Sequence, residues 1–251
     1  MFNYSQKILY YSAQISIGSL QFLFTMQKKI KAIIFDLDGV IVNSNPAIVS
    51  FWKEWSLTEG FALTDAQISQ WIYGRKVGDT LVGLFSHVSN EKKKEIEESA
   101  YIFDSCMNPD AIDGVVTFIK SLQFFQIPIG VVTSSHYSRM MNMLQKFGLE
   151  ELFTHFITAS DVSQGKPHPE PYLKMSEKMY TSNESCLVFE DAISGIQSAV
   201  AAGMQTIGIA DEKTKLDLFL HGADDVIKDF SEIQVSTKEL SVVNGNIFRI
   251  I

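Results

Sequence analysis

Ile33, Ile34 and Phe35 form a short apolar run of β-branched and aromatic residues with no polar residue alternating through it. That is the pattern of a strand covered on both faces, as in a parallel sheet. Two carboxylates, Asp36 and Asp38, follow at once. In open α/β sheets ligands collect outside the carboxyl ends of the strands, so both acids are expected where a ligand binds. Two apart at a strand's end, they can supply a carboxylate nucleophile and a neighbouring acid/base, and a hard cation such as Mg2+ lets them coexist with a phosphate. Taken alone, Asp-x-Asp followed by Gly39 reads more readily as a solvated turn bent at the glycine.

The rest of the chain decides between these readings. At 251 residues it has room for one large domain, or for a domain with a smaller insertion, and 46% apolar with 20% charged residues is a globular balance. A formal net charge of -8 provides no electrostatic footprint for a nucleic acid. Cys106 and Cys186 are too few and too isolated for a disulfide framework or a Cys-x-x-Cys metal site. They read as reduced thiols, which favours the cytoplasm.

Residues 1–25 are apolar and aromatic but are broken by Ser12, Gln14, Ser16, Ser19 and Gln21. No uninterrupted run approaches the roughly 18 apolar residues of a membrane span, and neither a secretory signal nor an Arg-rich transit peptide fits. This stretch is expected to be an extension outside the functional fold, with Met26 as an alternative start; an amphipathic helix is the other reading. From 46 to 111 the pattern is helical. Pro46 suits a helix start, Thr64-Asp-Ala-Gln67 is a capping box with Leu63 and Ile68 as its hydrophobic staple, Gly74 suits a helix end, and Asp79 or Thr80 suits the next start. Glu91 to Glu98 reads as a solvated helix face. No strand signal interrupts this segment.

From 112 onward helices alternate with strands. Strands are expected at Ile127 to Val132, Phe156 to Ala159, Cys186 to Phe189, Thr206 to Ile209 and Val226-Ile227, with helices at Val115 to Gln123, Tyr137 to Phe147, Pro169 to Met179 and Ser194 to Ala202. Such alternation implies βαβ units. The expected fold is α/β: a Rossmann-like parallel-sheet core over 26–45 and 112–234, with a small all-helical cap over 46–111 inserted after the first strand. Asn244-Gly245 between two apolar pairs predicts a hairpin in the tail, 235–251.

Four sites now stand in one order, each at or just beyond a strand's expected C-terminal end: Asp36-x-Asp38, Thr133-Ser134, Lys166 within Gly165-Lys-Pro-His-Pro-Glu-Pro171, and Glu190-Asp191. Each has an ordinary structural reading by itself; their joint order does not. The chain resembles the haloacid dehalogenase-like hydrolase superfamily, in the branch whose helical cap lies between the first and second motifs. The resemblance runs from about Lys29 to Phe230, and Val188 to Gly203 is especially close to the family's fourth motif.

The resemblance implies a Mg2+-dependent phosphatase acting on a small phosphorylated metabolite. By it, Asp36 is the nucleophile that takes the phosphoryl group and Asp38 is the acid/base. Thr133, the backbone N–H of Ser134, and Lys166 bind phosphate, a task of positioning and charge stabilisation. Mg2+ falls to Asp36, Asp38 through its backbone carbonyl, and Asp191, with Glu190 close by or acting through water. Arg75 and Lys76, after Gly74 in the cap, are candidates for substrate specificity, with Arg75 suited to a bidentate clamp on a distal phosphate or carboxylate. Ser135 is a candidate contact for the outgoing group. The acid that many relatives carry just after the first motif is Asn43 here. Phosphoglycolate, a sugar phosphate and a nucleotide monophosphate are the substrates considered, in that order. A phosphosugar mutase of the β-phosphoglucomutase type would use the same Asp36 and Asp38. A silent binding protein is the third reading, and intact Asp36, Asp38, Lys166 and Asp191 argue against it.

Overall fold

The computed structural model describes residues 28–251; the expected extension over 1–25 and the start at Met26 lie outside them. Six strands form a parallel sheet: β2 (Ala32–Phe35), β3 (Ile129–Val132), β4 (His155–Ile157), β5 (Cys186–Glu190), β6 (Gln205–Ile209) and β7 (Asp225–Ile227), in the order β4-β3-β2-β5-β6-β7. The chain runs from β2 outward to β3 and β4 on one side, then returns to lay β5, β6 and β7 on the other. β2 and β5 therefore flank the point where strand order reverses, and a ligand crevice is expected at their carboxyl ends.

The apolar run Ile33-Ile34-Phe35 falls within β2, and all four residues of that strand are buried. Ile33 and Phe35 join one core layer, Ala32 and Ile34 the other. The first layer is closed by the helices Val115–Phe124 (α5) and Tyr137–Lys146 (α6), the second by Glu170–Lys178 (α7) and Ile193–Ala201 (α8). Phe35 stacks on Phe189 at 5.3 Å in the next strand and meets Phe118, Phe153 and Phe230 at 6.0–6.1 Å between ring centres, so the strand bearing the first motif is held by aromatic packing.

Four helices lie between β2 and α5: α1 (Asn45–Thr58), α2 (Asp65–Trp71), α3 (Val77–Leu84) and α4 (Asn90–Cys106). They surround an apolar cluster of their own that includes Trp52, Ile68, Leu81, Leu84, Phe85 and Ile96. Thr64 and Gln67 form both bonds of the capping box, and Leu63 packs on the cluster that holds Ile68. α3 starts earlier than expected. Its N-cap is Lys76, with no side-chain cap bond, because an ammonium has no acceptor for the helix's free N–H groups; it donates to core carbonyls.

The second sheet differs most from expectation. Lys28–Ile30 is a strand, β1, pairing in parallel with β10 (Ile247–Ile250); β10 pairs antiparallel with β9 (Glu239–Val242), and β9 with β8 (Ile233–Val235). The predicted hairpin thus exists as β9 and β10, and β8 crosses the boundary expected between 234 and 235. Leu240, Val242 and Phe248 are buried in the main core. β1 and β8, three residues each, are too short to show periodicity, and the helix α9 (Lys215–Leu220), at six residues, also lacks a pattern long enough to read.

Candidate active site

Asp36 follows β2 directly and is 2% exposed. Its Oδ1 accepts a hydrogen bond from Lys166 Nζ at 2.6 Å. Lys166, 1% exposed, also donates to Glu190 Oε1 and to the Val132 carbonyl, and Tyr172 Oη donates to the same Glu190 oxygen at 2.8 Å. The other Glu190 oxygen accepts from the backbone N–H groups of Asp191 and Ala192. Glu190 is thus held from all sides, and it braces Lys166 against Asp36. The first turn of α8 approaches it closely, because a Cβ on Gly195 would stand 1.9 Å from the Glu190 carboxyl. Burial opposes the charge on Lys166, but Asp36 and Glu190 outweigh it and keep the ammonium protonated.

One lysine does not balance the acids. Oxygens of Asp36, Glu190 and Asp191 lie within 4.8 Å of one another. Burial, then the charges of Glu190 and Asp38, push the Asp36 carboxyl up to about 7 against the opposing pull of Lys166. Burial with Glu190 and Asp36 raises Asp191 far above the usual carboxylate range, although Asn45 Nδ2 donates to its Oδ2 at 2.5 Å. A buried carboxylate group with this excess of negative charge fits a hard divalent cation with oxygen ligands, as Mg2+ requires. Gly39 keeps the space open: its φ is +78°, and a Cβ there would lie 2.1 Å from Asp191 Oδ2.

Asp38 belongs to a different set of contacts. Arg139 holds it in a two-pronged fork, Nη1 to Oδ2 at 2.8 Å and Nη2 to Oδ1 at 2.6 Å. Ser135 Oγ donates to Oδ2 at 3.0 Å and Ser44 Oγ to Oδ1. Burial works to raise the Asp38 pKa, but the Arg139 charge and these hydrogen bonds outweigh it and hold the carboxyl below its ordinary value. Ser135 thus faces Asp38 and Arg139. Thr133 is buried at the end of β3, with its Oγ1 accepting from the Ser135 N–H at 3.1 Å, and Ser134 Oγ donates to the Gly74 carbonyl at 2.7 Å.

Arg75 and Lys76 sit on the wall of the site, and each donates to backbone carbonyls. Arg75 Nη1 donates to the Lys166 carbonyl at 3.1 Å and Nε to the Gln70 carbonyl at 3.0 Å. Lys76 Nζ donates to the carbonyls of Ala159 at 2.7 Å and Val162 at 2.9 Å. Ser194 Oγ reaches the Tyr73 carbonyl at 3.0 Å. Residues 73–76 are therefore tied to the loops after β3 and β4 and to the first turn of α8, and they form a latch between cap and core. The reason is local: backbone carbonyls of the core loops stand within hydrogen-bonding distance of both cations.

Between cap and core lies a cavity of about 310 Å³, lined by Asp36, Asp38, Thr133 and Ser134 at one end and by Phe51, Trp52, Tyr101 and Phe103 of the cap. Asp79, Glu97, Asp104 and Arg139 also line it. Sequence reasoning missed Arg139, Ser44, Asn45 and Asp104. A signal existed for Arg139: it shares a face of α6 with Met140, Met143 and Leu144, all buried, and a charge on an apolar face needs a partner.

The sequence pattern of the haloacid dehalogenase-like hydrolases matches residues 33–209, a span that holds all four motifs and the cap. The chain belongs to the haloacid dehalogenase-like hydrolase family. Among curated members of this family it is 33% identical over 219 residues to glycerol-1-phosphate phosphohydrolase 2 of Saccharomyces cerevisiae, with 82% of this chain and 85% of the relative covered. It is 26% identical over 208 residues to hexitol phosphatase A of Escherichia coli, covering 78% and 93% respectively. A solved haloacid dehalogenase hydrolase, family IA, variant 3, from Entamoeba histolytica superposes with a TM-score of 0.69 at 31% identity, over 82% of this chain and 96% of that one. Asp36, Asp38, Thr133 and Ser134 converge on this cavity, beside the cluster of Asp36, Glu190 and Asp191. No described helix is long and apolar enough to cross a membrane.

Proposed function

We propose that this family member is a Mg2+-dependent phosphatase that hydrolyses a sugar or polyol phosphate through an aspartyl-phosphate on Asp36. The observation that carries the reading is the lining of one cavity end by Asp36, Asp38, Thr133 and Ser134, with Lys166 bonded to Asp36 from behind. Asp36 attacks phosphorus, the ester P–O bond breaks, and Asp38 in its protonated form gives its proton to the leaving alkoxide. Water then attacks the aspartyl-phosphate, Asp38 takes its proton, and inorganic phosphate leaves with Asp36 restored. Asp38 as held by Arg139 is ionised, the form that this second half-reaction uses. Thr133, the Ser134 N–H and Lys166 bind the phosphate oxygens and place phosphorus before Asp36. Asp36, Asp191 and the Asp38 carbonyl would hold Mg2+, which would supply positive charge to offset that of the transferring phosphoryl group.

The cavity suits a hydroxyl-rich leaving group. Asp79, Glu97 and Asp104 line it and can accept hydroxyl donors. Arg75 and Lys76 donate to core carbonyls in the latch. The names of the yeast and Escherichia coli relatives, a glycerol-1-phosphate phosphohydrolase and a hexitol phosphatase, support the same class. This reorders the substrates, with phosphoglycolate behind sugar and polyol phosphates. Cys106 and Cys186 are unpaired thiols, in keeping with a reducing compartment such as the cytoplasm.

Phosphate release from glycerol, hexitol and hexose phosphates, phosphoglycolate and an aryl phosphate, with Mg2+ or with chelator, tests the proposal. Release is expected to need Mg2+, to be fastest for a polyol or sugar phosphate, and to vanish in Asp36→Asn. Fastest turnover of phosphoglycolate would overturn the substrate class. An isomeric sugar phosphate in place of free phosphate would mark a mutase, and no reaction in folded, metal-supplied protein would sink the phosphatase reading.

A further inference from the structure

The guanidinium of Arg139 touches the cap and the core through different edges. Its Nη fork faces the core and grips Asp38, while its Nε faces Asp104 on cap helix α4, 3.3 Å from Oδ1. Arg139 is 4% exposed, and a third contact, Nη1 to Ser135 Oγ at 2.6 Å, ties the fork to the loop that carries the phosphate donors. The two sides are unequal. The core side consists of short charge-assisted hydrogen bonds; the cap side is an ion pair without a hydrogen bond, since Nε has no hydrogen-bond partner among the described residues. When the cap moves away, the weaker contact is the one that parts, and Arg139 stays with the core.

We propose that Arg139 is the positioning residue of the proton-transferring carboxylate Asp38, and that Asp104 of the cap links this clamp to cap closure. The argument is geometric. A carboxylate at the end of a short turn is free to rotate about its side-chain bonds; a planar fork on both oxygens fixes it, provided the fork's own plane is fixed. Ser135 and Asp104 fix that plane from the core and the cap respectively. Asp38 is then aligned best when the cap is shut, held as the ionised base that takes the proton of the attacking water. The proposal rests on the phosphatase reading given above and on Asp38 as its acid/base.

The test is steady-state turnover of the preferred phosphate ester, with Mg2+, by the wild type, Arg139→Ala and Asp104→Ala, each checked for fold by near-UV circular dichroism. Arg139→Ala is expected to lose about 10²-fold in kcat, the scale of an angstrom-level misplacement, with little change in KM. Guanidinium chloride at tens of millimolar should restore part of that kcat, whereas equal sodium chloride should not. Asp104→Ala should show a smaller loss in the same parameter. A folded Arg139→Ala with wild-type kcat, a loss confined to KM, or a kcat that guanidinium leaves untouched overturns the positioning role. If Arg139→Ala does not fold, Asp104→Ala decides: wild-type kcat there overturns the link to the cap. Wild-type protein with no metal-dependent turnover fails at the earlier step and overturns both readings.

Discussion

Asp104 reaches Arg139 from the cap, and its carboxyl is nonetheless raised from 3.8 to about 6. Burial is the main cause; Asp38 adds to it, and Arg139 and His136 oppose it. A raised folded pKa makes this acid a cost that grows with pH. Well below 3.8 the carboxyl is neutral in the folded and the unfolded chain alike. Between 3.8 and about 6 the unfolded chain gives up the proton first, so the folded state loses ground, and above about 6 the full cost remains. Asp104→Asn is therefore expected to melt at a higher temperature than the wild type at pH 7.5, with the gain shrinking as the pH falls towards 4. A gain of the same size at pH 4 would trace it to packing. Higher stability together with lower kcat would be the pattern of a residue kept for function.

The C-terminal hairpin shows how a local signal acquires its place. Asn244-Gly245 makes the turn, with Gly245 at φ +95°, but the fold secures it through Asp225 at the start of β7. Asn244 Nδ2 donates to Asp225 Oδ1 at 3.0 Å and Asn246 Nδ2 to Oδ2 at 2.9 Å. Asp225 is 2% exposed, so Asn246→Ala strips a buried carboxylate oxygen of a partner. We expect a loss of about 1–3 kcal/mol, read from the urea midpoint at unchanged slope. Cap helix α2 behaves otherwise. Its capping box forms from residues three apart with no help from elsewhere, which is why the sequence pattern suffices to place it.

At the scale of the whole molecule, cap and core meet beside the acids that could hold a cation. Mg2+ bound by the folded protein alone stabilises it by mass action, about 2.7 kcal/mol at a hundred times the Kd. For a chain of this size that is a rise of several degrees in Tm. Adding MgCl2 to chelator-treated protein should give this rise, and Asp191→Asn should abolish it while an equal ionic strength of NaCl leaves both proteins unmoved. A rise that persists in Asp191→Asn would place the cation elsewhere.

Much of this molecule is written in short-range pattern. The β2 run, the alternation of helix and strand after 112, the cap between the first two motifs, and the order Asp36, Thr133, Lys166, Glu190-Asp191 depend on neighbours along the chain, because periodicity, capping and strand-end position are local properties. The sequence by itself thus determined the α/β class and the residues gathered at the carboxyl ends of β2, β3 and β5. Tertiary structure alone decided what those residues touch. Arg139 lies 101 positions from Asp38, and Lys76 lies 83 from the carbonyl of Ala159; β1 finds its partner in β10 at the far end of the chain. No periodicity encodes such pairs. A charged side chain binds whichever opposite charge or carbonyl the fold brings within 3 Å or so, and that choice turned Arg75 and Lys76 into a latch and placed Arg139 against Asp38.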